Sequence, residues 1–322
     1  MSSRLSSPAV TPGSTPVLGE DPASALDAAA WALAAMISTL RDAATAPLAD
    51  VLAAAPQRTA VLEAAGLVEG NDAGFTVHPS LRLGRPLAEW KLSSLRQAVS
   101  AATRDGNGTV SGGWALQHDE VLLGHGRASA ATGRALATKI VPELTGLAGR
   151  LNVAGSRVLD VGTGVAAIAV TLAREFPRAH VVGIDVLDRA LDLARAELAG
   201  AADVAGRVSL RQLDLADLTE QASYDLIWLP APFLADAALS AGLPRAIDAL
   251  PPGGWIVVAT NPAPEDALLL AVGRWTAALN NGNAYDSGRM AASLTASGLR
   301  EMRTFPIVRG GPVLLAARRP ER

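Results

Sequence analysis

The sequence has no cysteine, and its 322 residues include only four histidines and two lysines. Without cysteine it can form neither disulfides nor thiolate-bound zinc or iron–sulfur centres. No two histidines have the i, i+4 spacing of a helical metal site, so we expect no metal. The net charge of −3 provides no broad positive field, so neither nucleic acid nor an anionic membrane is expected as a partner. No apolar run reaches ~20 residues, and no membrane span is expected.

The composition is that of a folded chain with a large core, because 49% of the residues are hydrophobic and 18% are charged. At roughly 100–200 residues per domain, the length allows two domains. The first 22 residues are rich in Ser, Pro and Thr and lack the apolar core of a signal peptide, so we expect a solvated tail and a cytoplasmic protein. We predict four segments: a tail at 1–22, a helical domain at 23–105, linker and lid helices at 106–150, and a larger domain at 151–322.

The pattern of the 23–105 segment is typical of a winged helix. Apolar periodicity predicts helices at 25–42, after a Ser24 cap, and at 47–55 and 56–66. A hairpin follows in LVEGNDAGFTVHP, where Gly and Asn favour a tight turn. The pattern favours a packing or dimerisation module. DNA recognition is the alternative, although the candidate recognition helix carries a single basic residue, Arg58.

From residue 151 onward, short apolar strands alternate with amphipathic helices. Such alternation predicts an α/β fold, a doubly wound and mostly parallel sheet covered by helices on both faces. Seven strand-like segments are present, beginning with RVLDV and HVVGID. The last two, LREMRTFPIV and PVLLAARR, are joined by a short turn at 309–311, so we expect them to form a terminal antiparallel pair.

Three acidic residues follow the first three strands of this sheet. Asp160 precedes the glycine loop Gly162-x-Gly164, and Asp185 and Asp214 follow the next two strands. The carboxyl ends of parallel strands form the ligand site of such sheets, and a carboxylate can accept both hydrogen bonds of a ribose diol. The spacing also fits the fingerprint of a nicotinamide dinucleotide site. However, Asp160 would repel a diphosphate and attract an ammonium group, which favours a cationic cofactor.

The segments VLDVGTG, VVGIDV, RQLDLADL, YDLIWLPAPF and LPPGGWIVV together resemble class I S-adenosylmethionine-dependent methyltransferases over about 150–320. The resemblance implies S-adenosyl-L-methionine as cofactor, with the methionine end at the glycine loop, the ribose at Asp185 and the adenine at Asp214. The usual third glycine of the family is Ala166 here. The cofactor-binding residues expected from the resemblance are Asp160, Gly162, Thr163, Gly164, Asp185, Val186, Asp214, Leu215 and Leu229.

The N-terminal module narrows the resemblance to small-molecule O-methyltransferases, which often carry a winged-helix dimerisation domain. This implies a homodimer acting on a small molecule. In that group a His-Asp pair follows the fourth strand, but here the segment is LPAPFL, without histidine. The segment also resembles the Asn-Pro-Pro-Tyr loop of amino-group methyltransferases, with Pro230 in place of the asparagine. We therefore expect Pro230 to Phe233 to form a rigid apolar wall.

The segment GGWALQHDEVLLGHGRASAATG supplies the candidate general bases. His118 and His125 are seven residues apart and would share a face of one helix, where an imidazole of pKa near 7 could act as a base. Trp114, Phe233 and Tyr285 are predicted to contact the substrate, and Arg127 could pair with a carboxylate. The alternative is a structural helix start capped by Asp119.

These observations predict an S-adenosylmethionine-dependent methyltransferase that acts on a small molecule, such as a specialised metabolite. Two alternatives stay open. One is an enzyme of the same fold that binds the cofactor but catalyses a non-methylating reaction, since the fourth-strand base is missing. The other is a ligand-responsive winged-helix regulator that binds DNA. The sequence does not identify the acceptor or the atom that receives the methyl group.

Overall fold

The computed structural model describes residues 21–72, 74–103, 113–283, 285–306 and 313–321. The chain divides into two compact units, Met1–Leu92 and Ser93–Arg322. The boundary predicted at residue 105 and the turn predicted at 309–311 lie outside the described residues.

The first unit contains three helices and a hairpin, in the predicted order, followed by the first part of a fourth helix. Its core packs Met36, Leu40, Leu52 and Leu62 against one another. The elements are α1 (Pro22–Asp42), α2 (Leu48–Ala54), α3 (Pro56–Ala64), β1 (Val68–Asn71), β2 (Gly74–Val77) and α4 (Gly84–Ala102), whose last ten residues belong to the second unit.

The helix α1 begins earlier than the sequence predicted. Asp21, rather than Ser24, is the N-cap, and its carboxylate accepts hydrogen bonds from the backbone N–H groups of Ala23 and Ser24. By length and composition α1 could cross a membrane, although a buried core helix passes the same test. Its last turns pack in the core of the first unit at Met36 and Leu40.

The second unit is built on a seven-stranded sheet with helices on both faces, which confirms the predicted fold class. Its helices are α5 (Asp119–Ala135), α6 (Leu147–Leu151), α7 (Ala167–Glu175), α8 (Asp188–Ala199), α9 (Asp236–Ala249), α10 (Ala267–Leu279) and α11 (Ser287–Ala296). Its strands are β3 (Arg157–Val161), β4 (His180–Asp185), β5 (Val208–Gln212), β6 (Leu226–Pro230), β7 (Trp255–Thr260), β8 (Arg300–Pro306) and β9 (Val313–Arg318).

The strand order is β5-β4-β3-β6-β7-β9-β8. The first five strands in this order are parallel, and β9 is antiparallel to both β7 and β8, as predicted for the terminal pair. After β3 the chain continues to β4 and β5 on one side of that strand, and later to β6 and β7 on its other side. The strand β3 therefore lies at the switch point, where such sheets bind ligands. This order places the carboxyl ends of β3, β4 and β5 side by side at one edge.

Side chains alternate across the sheet and fill two separate cores. On β6, Trp228 packs in one core, whereas Ile227 and Leu229 pack in the other. The helix α5 lies against the start of α7 at two glycines, because a Cβ on Gly126 would collide with Val165 and one on Gly133 would lie 3.0 Å from Thr171. Close packing through these glycines brings α5 over the glycine loop.

Candidate active site

The glycine loop after β3 folds back over β4. Gly162 and Gly164 have φ values of 60° and 55°, in the left-handed region that glycine tolerates. Gly183 makes room for the loop, because a Cβ there would lie 2.7 Å from the Thr163 hydroxyl. Ala166, in the position of the usual third glycine, has a φ of 63° and is the N-cap of α7. The loop therefore keeps the glycine-type backbone at Ala166 as well.

Asp160 is buried directly beneath this loop, with 1% of its surface exposed. The Thr163 hydroxyl donates a hydrogen bond of 2.7 Å to its carboxylate. Burial, together with the neighbouring Asp185 charge, raises the pKa of Asp160 to about 7, and the hydrogen bond from Thr163 opposes this shift. A positive ligand group placed here would favour the ionised carboxylate.

Asp185 and Asp214 occupy the next two strand ends, and their orientation is fixed by backbone N–H groups. The Asp185 carboxylate accepts hydrogen bonds of 2.9 Å from Gly164 and from Leu187. Burial raises the pKa of Asp185, and these hydrogen bonds oppose the shift. The Asp214 carboxylate accepts a hydrogen bond of 2.9 Å from the N–H of Ala216. Both carboxylates keep lone pairs for a ligand.

A cavity of about 410 Å³ connects the three strand ends. Among the described residues that line it, three are aspartates and none is lysine or arginine. The volume is at the lower end of the range for ligand sites, roughly 300–1,000 Å³. Its electrostatics suit a cationic ligand and oppose a diphosphate. The predicted residues that line it are Trp114, His125, Asp160, Gly162, Thr163, Gly164, Asp185, Val186, Asp214, Leu215 and Phe233.

Three rings contact one another at the end of the cavity beyond the glycine loop. The centroid of the His125 ring lies 5.0 Å from Trp114 and 5.2 Å from Phe233, and the Trp114 and Phe233 centroids are 5.5 Å apart. The Phe233 ring stands edge-on to both partners. Burial lowers the pKa of His125 to about 4, so its imidazole is neutral at pH 7. This corrects the expectation of a base with a pKa near 7.

The loop after α10 covers the same end of the cavity. Asn280 and Asn281 line the cavity, and Asn280 accepts a hydrogen bond of 2.8 Å from the side chain of Gln117. Asn283 is buried and donates to the backbone carbonyls of Ala231 and Leu234. These bonds fix the loop against the wall that contains Phe233.

Four predicted roles are not supported by the geometry. His118 is exposed, is the N-cap residue of α5 in place of Asp119, and is not among the residues that line the cavity. Leu229 and Tyr285 pack in the second core and do not line the cavity either. Arg127 forms a two-point ion pair with Glu197, with N–O distances of 2.7 and 3.0 Å.

Several lining residues were not predicted. Asn280 and Asn281 precede Tyr285, which is the residue of this region that the sequence analysis predicts to contact the substrate. Ser129 lies four residues after His125 on α5, so helical periodicity would have identified it, whereas Gly126 directly follows His125 and no such spacing indicates it. Trp228 alternates with Leu229 on β6, so the alternation of the strand would have identified it.

Comparisons with known proteins agree with this geometry. Residues 158–254 match the family model described as "Methyltransferase domain". A release factor glutamine methyltransferase from Cereibacter sphaeroides is 36% identical over 179 residues, which are 51% of this chain and 59% of that protein. One from Koribacter versatilis is 40% identical over 80 residues, which are 24% of this chain and 28% of that protein. The chain thus spans less than two-thirds of the length of these relatives.

Two solved structures resemble nearly the whole chain. An O-methyltransferase family protein from Burkholderia thailandensis has a TM-score of 0.62 and 18% identity, covering 92% of this chain and 97% of that chain. Human N-acetylserotonin methyltransferase in complex with SAM has a TM-score of 0.59 and 15% identity, covering 94% and 99%. Identities this low show the fold alone. The family match shows a methyltransferase domain at residues 158–254, and the strand order, the glycine loop and these structures show that the fold around it is that of the class I, S-adenosylmethionine-dependent methyltransferases.

Proposed function

We propose that this protein transfers the methyl group of S-adenosyl-L-methionine to a small, predominantly apolar molecule that carries no negative phosphate or sulfate group. The observation that carries the proposal is the cavity: three aspartates at adjoining strand ends, three rings beyond the glycine loop, and no lysine or arginine among its described lining residues.

The three aspartates suit the three parts of the cofactor. Asp160 would neutralise the ammonium group of the methionine end, and Asp185 would accept both hydroxyl hydrogens of the ribose. Asp214 would accept a hydrogen from the adenine amino group, with Leu215 against the ring. Gly242 of α9 makes room for Leu215, because a Cβ there would lie 2.7 Å from that side chain. Thr163 would hold the Asp160 carboxylate in place through its 2.7 Å hydrogen bond.

Methyl transfer from a sulfonium ion requires an in-line arrangement and a dry site. A lone pair of the acceptor forms the bond to the methyl carbon as the C–S bond breaks, and that electron pair stays on sulfur. The reacting atoms must approach to about 3–3.5 Å. The wall that contains Phe233 is held by the hydrogen bond from Asn283 to Leu234, and α5 packs closely over the glycine loop. Both features would hold this geometry and exclude water.

The acceptor end of the cavity favours a small aromatic or apolar molecule. Trp114 and Phe233 supply flat apolar surface, and Asn280 and Asn281 supply amide groups at the rim. Pro230 stands where amino-group methyltransferases have asparagine, and it has no side-chain acceptor to hold an amide nitrogen. This argues against the glutamine side chain that the names of the curated relatives give as their acceptor.

We further propose that the first unit forms a homodimer interface rather than a DNA-binding surface. Trp31 on α1 is 70% exposed and Leu26 is 55% exposed, which is apolar surface that a second copy could cover. Arg58, the basic residue of α3, forms an ion pair of 2.7 Å with Asp42, so its charge is already compensated.

The proposal is tested with a cofactor whose methyl group carries three deuterium atoms. The protein is incubated with this cofactor and a bacterial extract separated into small-molecule and protein fractions, and mass spectrometry follows the label. We expect label in the small-molecule fraction. Label confined to the protein fraction would contradict a small-molecule acceptor, and cofactor turnover without labelled product would indicate a non-methylating reaction.

A further inference from the structure

His125 has a polar partner as well as its two aromatic neighbours. The side-chain amide nitrogen Nε2 of Gln97 lies 3.4 Å from Nδ1 of His125. Gln97 belongs to the part of α4 that lies in the second unit, and both side chains are partly buried. Trp114 and Phe233 contact the imidazole through their rings, whereas the Gln97 amide lies within hydrogen-bonding distance of one ring nitrogen.

Neighbouring contacts between α4 and α5 accompany this pair. Arg96 on α4 forms an ion pair of 3.9 Å with Glu120 on α5. Arg96 also lies beside Gly124, where a Cβ would be 3.3 Å from the guanidinium. The two helices therefore meet at consecutive residues, Arg96 with Gly124 and Gln97 with His125.

The chemistry of the two groups determines where the proton lies. The structure places the NH₂ end of the Gln97 amide toward Nδ1 of His125, and an NH₂ group can donate but cannot accept, so in this arrangement Nδ1 is the unprotonated ring nitrogen. A neutral imidazole carries one proton, which then lies on Nε2. Burial keeps the pKa of His125 at about 4, so the ring is neutral at pH 7. Charged groups on the elements packed around it are Arg96 and Glu120 at the contact of α4 with α5 and Asp160 in the lining of the cavity.

We infer that Gln97 is a positioning residue that holds His125 in its Nε2–H form, so that His125 meets the methyl acceptor as a hydrogen-bond donor and not as a general base. The inference rests on the proposed function. It assigns the acceptor to a chemical class: compounds with an acidic O–H, such as enols and acidified phenols, that lose the proton to solvent. The resulting oxygen anion accepts the bond from Nε2–H. A lone pair of this oxygen then forms the bond to the methyl carbon as the C–S bond breaks, and the electron pair of the C–S bond stays on sulfur.

The test reads the tautomer directly and needs neither cofactor nor acceptor. The protein is labelled with ¹⁵N-histidine, and its four histidines give a spectrum that the His125→Phe variant assigns. At pH 7 we expect Nδ1 of His125 to show the shift of an unprotonated nitrogen and Nε2 that of a protonated one. The opposite pattern in the wild-type protein would overturn the inference.

Two variants of Gln97 test whether this residue determines the tautomer of His125. In Gln97→Glu the carboxylate can only accept, so we expect the proton to move to Nδ1 and the pKa of His125 to rise by roughly one to three. In Gln97→Leu we expect a mixture of both tautomers. The matched control is Ser94→Glu, which adds the same charge at an exposed position one turn earlier on α4 and should leave the tautomer unchanged.

The outcomes separate this inference from the proposed function. An unchanged tautomer in both Gln97 variants would show that Gln97 does not set it, and the inference would fail. Calorimetry of S-adenosylhomocysteine binding to the wild-type protein reports on the cofactor site independently. Binding together with the Nδ1–H tautomer would leave the proposed function standing and remove the assignment of His125 as a donor.

Discussion

The backbone N–H of Gly164 donates a hydrogen bond of 2.9 Å to the carboxylate of Asp185, which ties the glycine loop after β3 to the end of β4. The other carboxylate oxygen accepts from Leu187, also at 2.9 Å. Asp185 is therefore oriented before any ligand binds. A preorganised acceptor loses little conformational entropy on binding, which makes it effective for a ribose diol.

Replacing Asp185 should weaken cofactor binding more than the loss of one ordinary hydrogen bond. Asp185→Ala removes a charged acceptor of two hydroxyl groups and releases the glycine loop. We expect a loss of roughly 1.5–3 kcal/mol, or about ten-fold or more in Kd for S-adenosylhomocysteine. Asp188→Ala removes an exposed carboxylate three residues later and serves as the control. An unchanged Kd in Asp185→Ala would place the ribose elsewhere.

The raised pKa of Asp160 predicts that cofactor binding releases a proton from this carboxyl group. The pKa of Asp160 is about 7 in the folded protein, against an ordinary value of 3.8. Between pH 3.8 and about pH 7 the folded protein therefore keeps a proton on this carboxyl group that the unfolded chain has released. Its contribution to stability therefore falls as the pH rises through this window. The positive cofactor favours the ionised form, so affinity should rise by up to about ten-fold between about pH 6 and about pH 8.

Calorimetry in buffers of different ionisation enthalpy measures the proton released on binding. Asp160→Asn keeps the shape of the side chain but cannot ionise, so its binding should lose both the proton release and the pH dependence. The same proton release in Asp160→Asn as in the wild-type protein would show that another group is responsible.

The two glycines of α5 that flank His125 should respond oppositely to alanine. A Cβ at Gly126 would collide with Val165, so Gly126→Ala should destabilise the fold by about 1–3 kcal/mol through overpacking. A Cβ at Gly124 would meet the flexible end of Arg96 at 3.3 Å. Gly124→Ala should then stabilise by up to about 1 kcal/mol, the difference in helix propensity. Denaturant unfolding measures both, and equal effects would contradict the packing described for α5.

A homodimer through the first unit should depend on Trp31. We expect light scattering to give the mass of a dimer at micromolar concentration and the mass of a monomer for Trp31→Glu, because a charge would be buried unpaired at the interface. Trp275→Glu makes the same change at an exposed position of the second unit and should leave the dimer intact. A wild-type monomer would refute the proposed interface.

The strand ends were predictable because the physics of parallel sheets is local and repetitive. Apolar runs followed by Asp160, Asp185 and Asp214 indicate three strand ends. Right-handed crossover connections between parallel strands then bring these ends to one edge of the sheet. The alternation of side chains along β6 is local as well. It places Trp228 and Pro230 toward the cavity and Leu229 in the core, so the geometry does not support a cofactor contact for Leu229.

Other site residues depend on contacts between distant segments, which no sequence pattern encodes. His118 and His125 would share a helical face only if the helix included both, but it begins at Asp119. The pairing of Gln97 with His125 needs the register of α4 against α5, where Arg96 lies beside Gly124, and this register is a three-dimensional property. Tyr285 was predicted to contact the substrate, but its side chain packs in the second core, and Asn283 donates hydrogen bonds to the backbone carbonyls of Ala231 and Leu234.

The central claim, a cavity built for S-adenosylmethionine, is tested most directly by titration calorimetry of the wild-type protein with S-adenosylmethionine, S-adenosylhomocysteine and NAD. We expect saturable binding of both sulfur compounds at about micromolar Kd, with a matching rise in Tm. NAD should give no heat, because its diphosphate would face Asp160 and a cavity without lysine or arginine among its described lining residues. No heat with either sulfur compound, together with saturable binding of NAD, would contradict the account.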